Sequence, residues 1–151
     1  MRANIIYYTT MENSPEVTIV GITPSKEKAR GMYRKALKAA KEWEADADSD
    51  CGDWAEARMR REDLPAHVGP GDPVFAVVET EWYEGITTIV KLFASEEDAK
   101  RYIAEEKPKL LQEYIELEPF DEDETFEESM HLSDNSVMVD YYFSIEKIIV
   151  E

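Results

Sequence analysis

Cysteine occurs once in this chain, at Cys51, and histidine twice, at His67 and His131. A single thiol excludes an internal disulfide and a cysteine-built zinc site. Two histidines leave a zinc or non-haem iron centre short of nitrogen ligands unless carboxylates substitute, so surface histidine is the simpler expectation. Only six glycines are present, none in a phosphate-cradling loop, and Gly69-Pro70-Gly71 reads as a turn. Bases are scarce: 17 Lys+Arg face 34 Asp+Glu, for a net charge of −17. That balance argues against a domain that grips nucleic-acid phosphate by its overall charge. The longest uninterrupted apolar run, Val74–Val78, is far too short to span a bilayer. The opening residues carry no signal-peptide hydrophobic stretch. The expectation is a soluble cytoplasmic protein with no cofactor and no membrane partner.

What is present suffices for a folded core. Hydrophobic residues make up 43% of the 151 positions, which suits one ordinary domain. The charge is divided unevenly along the chain. Residues 1–68 hold 11 bases and 12 acids, whereas residues 69–151 hold 6 and 22. Between Lys109 and Lys147 there is no base and there are twelve acids. Lys26–Lys41 shows the opposite bias, with seven bases and one acid, and Arg58, Arg60 and Arg61 add a second basic knot. A solvated helix face that partly neutralises the acidic half is the plain explanation of the basic run.

Sliding the chain by 70 residues aligns Asn4–Tyr33 with Val74–Ile103 without a gap, with Thr10/Thr80, Thr18/Thr88, Ile19/Ile89, Val20/Val90, Ser25/Ser95, Glu27/Glu97 and Ala29/Ala99 identical. Each copy reads as strand, turn, strand, helix. Ile5–Thr10 and Val17–Ile22 flank the turn Glu12–Pro15, while Val74–Thr80 and Ile86–Phe93 flank Glu84-Gly85. Ser25 and Ser95 open helices, and Glu96, Glu97 and Asp98 suit a helix N-terminus. The first helix carries Ala29, Met32, Tyr33, Ala36, Leu37, Ala40 and Trp43 on one stripe, the second Ala99, Tyr102 and Ile103. Pro108 ends or kinks the second helix before Lys109–Glu118 resumes. Between the copies lie an acidic loop (Glu44–Asp53), a short helix (Trp54–Glu62) and a Pro/Gly connector (Pro65–Pro73). Ser136–Val150 reads as a strand or bent pair of strands, with slipped alternation near its end hinting at a bulge. The expected fold is α+β, a single domain of two tandem β-hairpin–helix repeats (about 1–68 and 69–151). They form an antiparallel sheet with helices packed on one face, plus a C-terminal strand; two sheets back to back is the alternative.

No catalytic constellation stands out. Asp46–Gly52 approximates a calcium loop, but Cys51 occupies the glycine position and Ala57 the bidentate-glutamate position, so an acidic solvated loop is the better reading. Cys51 lies among Asp48, Asp50 and Asp53, which raise a thiol pKa and blunt it as a nucleophile. Carboxylates are too numerous for sequence alone to single out a general acid/base pair. Trp82 and Tyr83 sit at a hairpin tip, either packed on the sheet edge or exposed as a protein-binding anchor. The acids Glu113, Glu116, Glu118, Asp121, Glu122, Asp123, Glu124, Glu127 and Glu128 are interleaved with Tyr114, Ile115, Leu117, Phe120 and Phe126. A plain solvating tail lacks such apolar residues, so the stretch is expected to pack or to dock on a partner. Duplex DNA carries one charge per about 1.7 Å of axis, a spacing that a surface studded with carboxylates approximates.

The hairpin followed by Ser-x-Glu-x-Ala (Ser25–Ala29, Ser95–Ala99) resembles small proteins encoded by bacteriophages and bacteria. In size and acidity the chain is similar to phage inhibitors of host defence, the DNA mimics that block restriction enzymes and anti-CRISPR proteins. The resemblance implies a non-enzymatic acidic protein that blocks a nucleic-acid-processing partner in a bacterial host cytoplasm. Its partner would be a basic protein surface rather than nucleic acid itself. Glu113–Glu128 would supply the carboxylates, with Trp82 and Tyr83 as anchors. Two other readings follow from the residues: a self-associating module pairing its basic helix with the acidic half of another copy, as in a homodimer, and a cation-dependent enzyme using carboxylates.

Overall fold

β1 (Arg2–Met11) is the strand around which the first part of the chain is ordered. It pairs antiparallel with β2 (Pro15–Thr23) on one side and with β3 (Trp54–Asp63) on the other, giving the order β2-β1-β3. The computed structural model describes residues 1–12, 15–46, 54–81, 87–117, 136–138 and 141–151. Helix α1 (Lys26–Asp46) packs on all three strands. Its stripe buries Ala29, Met32 and Ala36 against Ile6 and Ala57, with Tyr8, Val20 and Tyr33 closing the margin, and Ala40 is buried further along it. The helical spacing read from the sequence therefore selects the buried face, although Leu37, at its edge, remains 36% exposed.

The second part runs β4 (Pro73–Glu81), β5 (Thr87–Phe93), α2 (Glu96–Leu117), β6 (Ser136–Met138) and β7 (Tyr141–Ile149), with sheet order β5-β4-β7-β6. β4 pairs antiparallel with β5, and β6 with β7. Val77, Ala99, Ile103 and Phe143 form its core, flanked by Phe75, Phe93, Tyr102, Leu110 and Ile145. The protein is thus α+β with two small antiparallel sheets and two helices; the strands divide into two sheets rather than joining one. Pro108 lies inside α2 without ending it. Ser136–Val150 supplies the pair β6 and β7, whose register shifts between Ser136 and Met138.

Both helices begin on a serine. The Ser25 hydroxyl accepts from the Lys28 N–H at 3.2 Å, and the Ser95 hydroxyl accepts from the Asp98 N–H at 3.1 Å. Each satisfies one donor that a helix start otherwise leaves open.

Trp54–Glu62 is not the expected helix. Its Ala, Glu, Arg and Met residues favour helix by only tenths of a kcal/mol each, whereas every residue of β3 has a cross-strand partner on β1, from Trp54↔Met11 to Asp63↔Arg2. Side-chain chemistry agrees. Arg58 pairs with Glu56 at 3.0 Å and Arg60 with Glu62 at 2.7 Å. Residues two apart share a face in a strand but not in a helix.

The chain divides into two units, Met1–Val74 with Lys147–Glu151, and Phe75–Glu146. The returning residues are tied into the first by main-chain bonds. Val150 N–H donates to the Asp72 carbonyl and accepts, through its own carbonyl, from the Gly71 N–H. The Glu151 N–H donates to the Ile22 carbonyl at 2.9 Å. The Thr23 hydroxyl, fully buried, donates to the Glu151 carbonyl at 2.6 Å while accepting from the Ser25 N–H. Gly71, at φ 93°, takes the left-handed turn that brings its N–H to Val150. Val150 is 1% exposed. Trimming it to alanine removes two buried methyl groups and leaves a cavity, so Val150→Ala is expected to cost about 2 kcal/mol and lower the melting temperature by several degrees in a thermal unfolding scan.

Candidate anion-binding groove and the placement of the charged residues

The β1–β3 ladder sorts the basic knot into two faces. Glu56, Arg58, Arg60 and Glu62 alternate onto one side of β3, where the two ion pairs neutralise both arginines locally. Met59 and Arg61 fall on the other side, directly across from Ile6 and Asn4 of β1. That is the side on which α1 lies, because Ile6 and Ala57 touch the helix.

Between this part of β3 and the first turns of α1 is a groove of about 410 Å³. Its cations are Lys26, Arg30 and Arg34, at successive four-residue steps along the helix, and Arg61 from the strand. Ala29, Tyr33 and Met59 supply its apolar surface, and Asn4 lines it from β1. Among the described residues no acid lines the groove. None of the four cations forms an ion pair with a described residue; among the seven bases of Lys26–Lys41, Lys38 alone does, with Glu42 at 3.9 Å. The sequence reading of the basic run as a solvated face thus misses that three of its cations border a concavity. The missing signal is Arg61, whose approach depends on β3 being a strand.

Most of the residues expected to form the acidic interface lie outside the described residues. Glu113 and Glu116 lie on α2. Glu118, Asp121, Glu122, Asp123, Glu124, Glu127 and Glu128 lie outside the described residues, as do Trp82, Tyr83, Cys51, His131 and most of Asp46–Gly52. His67 is exposed in a turn with φ 65°. Among the described residues no group of three or more His, Cys, Asp or Glu is placed to hold a metal ion, and no helix is long and apolar enough to cross a membrane.

Among the described residues one acid is buried. Glu79 on β4, 6% exposed, accepts a hydrogen bond from the Tyr102 hydroxyl of α2. The Tyr102 ring meets Phe93 at 5.2 Å between centroids, and the Lys91 ammonium stands 5.6 Å from its centre. This set explains how the second unit keeps a carboxylate in its interior. Nothing in the sequence pattern singles out Glu79 among the many acids of this half.

No protein-family model, no curated protein and no solved structure matches this chain.

On the ion-paired side of β3, Tyr7 of β1 is 4% exposed and stands across from Arg58. Burial raises its phenol above the ordinary value of 10.0, with Arg58 and Arg60 partly offsetting this and Glu56 adding to it. A raised folded-state pKa means that the unfolded chain loses its proton first as pH climbs. The stabilisation is therefore intact below pH 10 and is lost between that pH and the folded-state pKa. Tyr7→Phe is expected to flatten the fall of melting temperature above pH 10, and the wild type should show one phenol titrating late by absorbance at 295 nm.

Proposed function

We propose that this chain is a non-enzymatic binding protein of the phage type, an inhibitor of a defence nuclease. It acts by placing the carboxylates of Glu113–Glu128 in the partner's basic nucleic-acid site, with Trp82 and Tyr83 as aromatic anchors. The observation that carries the reading is the segregation of charge. The bases nearest the acidic stretch are engaged within α2 itself: Lys100 with Glu96, Arg101 with Asp98 and Lys109 with Glu106, all at 3.1–3.3 Å. From Glu113 to Glu128 the sequence supplies nine acids in sixteen residues and no base. Such a surface steers association with a cationic partner and loses affinity as salt rises. On this reading the protein is a DNA mimic or anti-CRISPR-like inhibitor working in a bacterial host cytoplasm. The chain is further read as two tandem β-hairpin–helix repeats, each helix on one face of its own sheet. The serine starts of α1 and α2, which stand 70 residues apart like the aligned identities, support that reading.

The second reading is self-association of the basic helix with the acidic half of another copy, favoured by the unpaired cations of α1. Head-to-tail pairing of this kind gives oligomers that dissociate in salt. Gel-shift competition tests the first reading: the wild type should displace DNA from a defence nuclease at low salt. Displacement should fade as salt rises and be lost when Glu122, Asp123, Glu124 and Glu127 are all replaced by lysine. Failure of the wild type to displace DNA, or undiminished displacement by the variant, would overturn it. Light scattering tests the second reading, which requires a mass above 17.4 kDa at low salt and the monomer mass at high salt.

A further inference from the structure

We infer that the α1–β3 groove of the first unit is a binding site for a small heteroaromatic anion, of the class of an amine-bearing nucleoside monophosphate. The inference is independent of the role proposed for the acidic segment. Four observations converge on that chemistry. The first is the sign and number of the charges. Lys26, Arg30, Arg34 and Arg61 border one cavity with no acid among its described lining residues, in a chain whose net charge is −17. Clustered like charges repel, and a bound dianion relieves the repulsion; arginine forks in particular match phosphate oxygens in pairs.

The second is the apolar surface. Met59 is 53% exposed, one of the few large apolar side chains left open to solvent, and it shares the cavity with Tyr33 and Ala29. A flat ring laid between a tyrosine and a methionine covers that surface through contacts both side chains favour. The third is Asn4, 7% exposed. Its Nδ2 donates to the Thr23 carbonyl at 3.2 Å, and because a carbonyl only accepts, this bond fixes which end of the amide is which. The amide oxygen has no hydrogen-bond partner among the described residues. It is a buried acceptor in need of an N–H, which an exocyclic amine supplies. The fourth is size, since about 410 Å³ falls within the range of small-molecule pockets.

A nucleic-acid strand fits poorly. A single phosphate group interacts with the four nearby cations, while the remaining acids are screened over a Debye length of about 8 Å. A polymer of phosphates meets the whole negative field.

The test is titration of the full-length chain with adenosine 5′-monophosphate, followed by calorimetry and by amide chemical shifts. Adenosine, ribose 5-phosphate, inorganic phosphate and purine riboside monophosphate, which lacks the amine, serve as parallel arms. Adenosine monophosphate should bind at least tenfold more tightly than adenosine or phosphate alone, and several-fold more tightly than the compound without the amine. Shifts should concentrate at Ala29, Arg30, Tyr33 and Arg61. The double variant R30Q/R61Q changes two exposed side chains and should fold as the wild type does, with affinity reduced at least tenfold. Absence of saturable binding overturns the inference, as does affinity unchanged in R30Q/R61Q or phosphate alone binding as tightly as the nucleotide. Binding at the same amides by a peptide of residues 113–128, with none by the nucleotide, also overturns it and assigns the groove to acidic peptide.

Discussion

Because β3 is zipped to β1 along its whole length, the position of every charged side chain on that strand is fixed to within a residue. A slip of one place would exchange the two faces, sending the Glu56–Arg58 and Arg60–Glu62 pairs under the helix and Met59 and Arg61 to the far side. The register is held from both flanks. Ile6 and Ala57 are buried against α1 on one face, and Tyr7 is buried on the other, so no shift satisfies both. The groove, the ion-paired face and the perturbed phenol all descend from this pairing.

Charge in this protein is managed by proximity in sequence where that is available. Lys100, Arg101 and Lys109 of α2 find acids three or four residues away, and Arg58 and Arg60 of β3 find glutamates two residues away. These are exposed pairs of small individual worth, but they decide which charges are left over. On α1 the acids have been excluded from the run Lys28–Lys41, so of its bases Lys38 alone finds such a neighbour, Glu42, among the described residues. Among the described residues this leaves a set of unpaired cations bordering a cavity, while the sequence places a run of acids in another part of the chain. Opposite excesses in one molecule are the physical basis for reading it as a protein that works by charge.

Much of the architecture is legible in the sequence because it is written in local signals. The β-branched and aromatic runs mark β1, β2, β4 and β5, serines mark both helix starts, and the 3.6-residue stripe marks the buried face of α1. β3 is illegible for the opposite reason. Its residues are good helix formers, and only pairing with a strand more than forty residues away makes it extended. The groove inherits that obscurity, since Arg61 and Met59 reach α1 only after β3 is placed. Asn4, on a strand otherwise rich in apolar residues, gives no signal until its amide is seen bonded to Thr23. Glu79 is similar: its burial depends on Tyr102, which the sequence offers only as one more residue of a helical stripe.

The way the last residues return to the first unit has a consequence for how the molecule is made. A slot bounded by Ile22, Thr23 and Asp72 is filled by residues 150 and 151, and everything from Phe75 to Glu146 is synthesised in between. At about 5–20 residues per second on the ribosome, that interval lasts roughly 4–14 s. During that time the nascent first unit waits with its backbone partners for Val150 and Glu151 still unmet. Completion of the first unit is therefore deferred until the intervening unit has been synthesised, and that unit can mature before the one that encloses it in sequence.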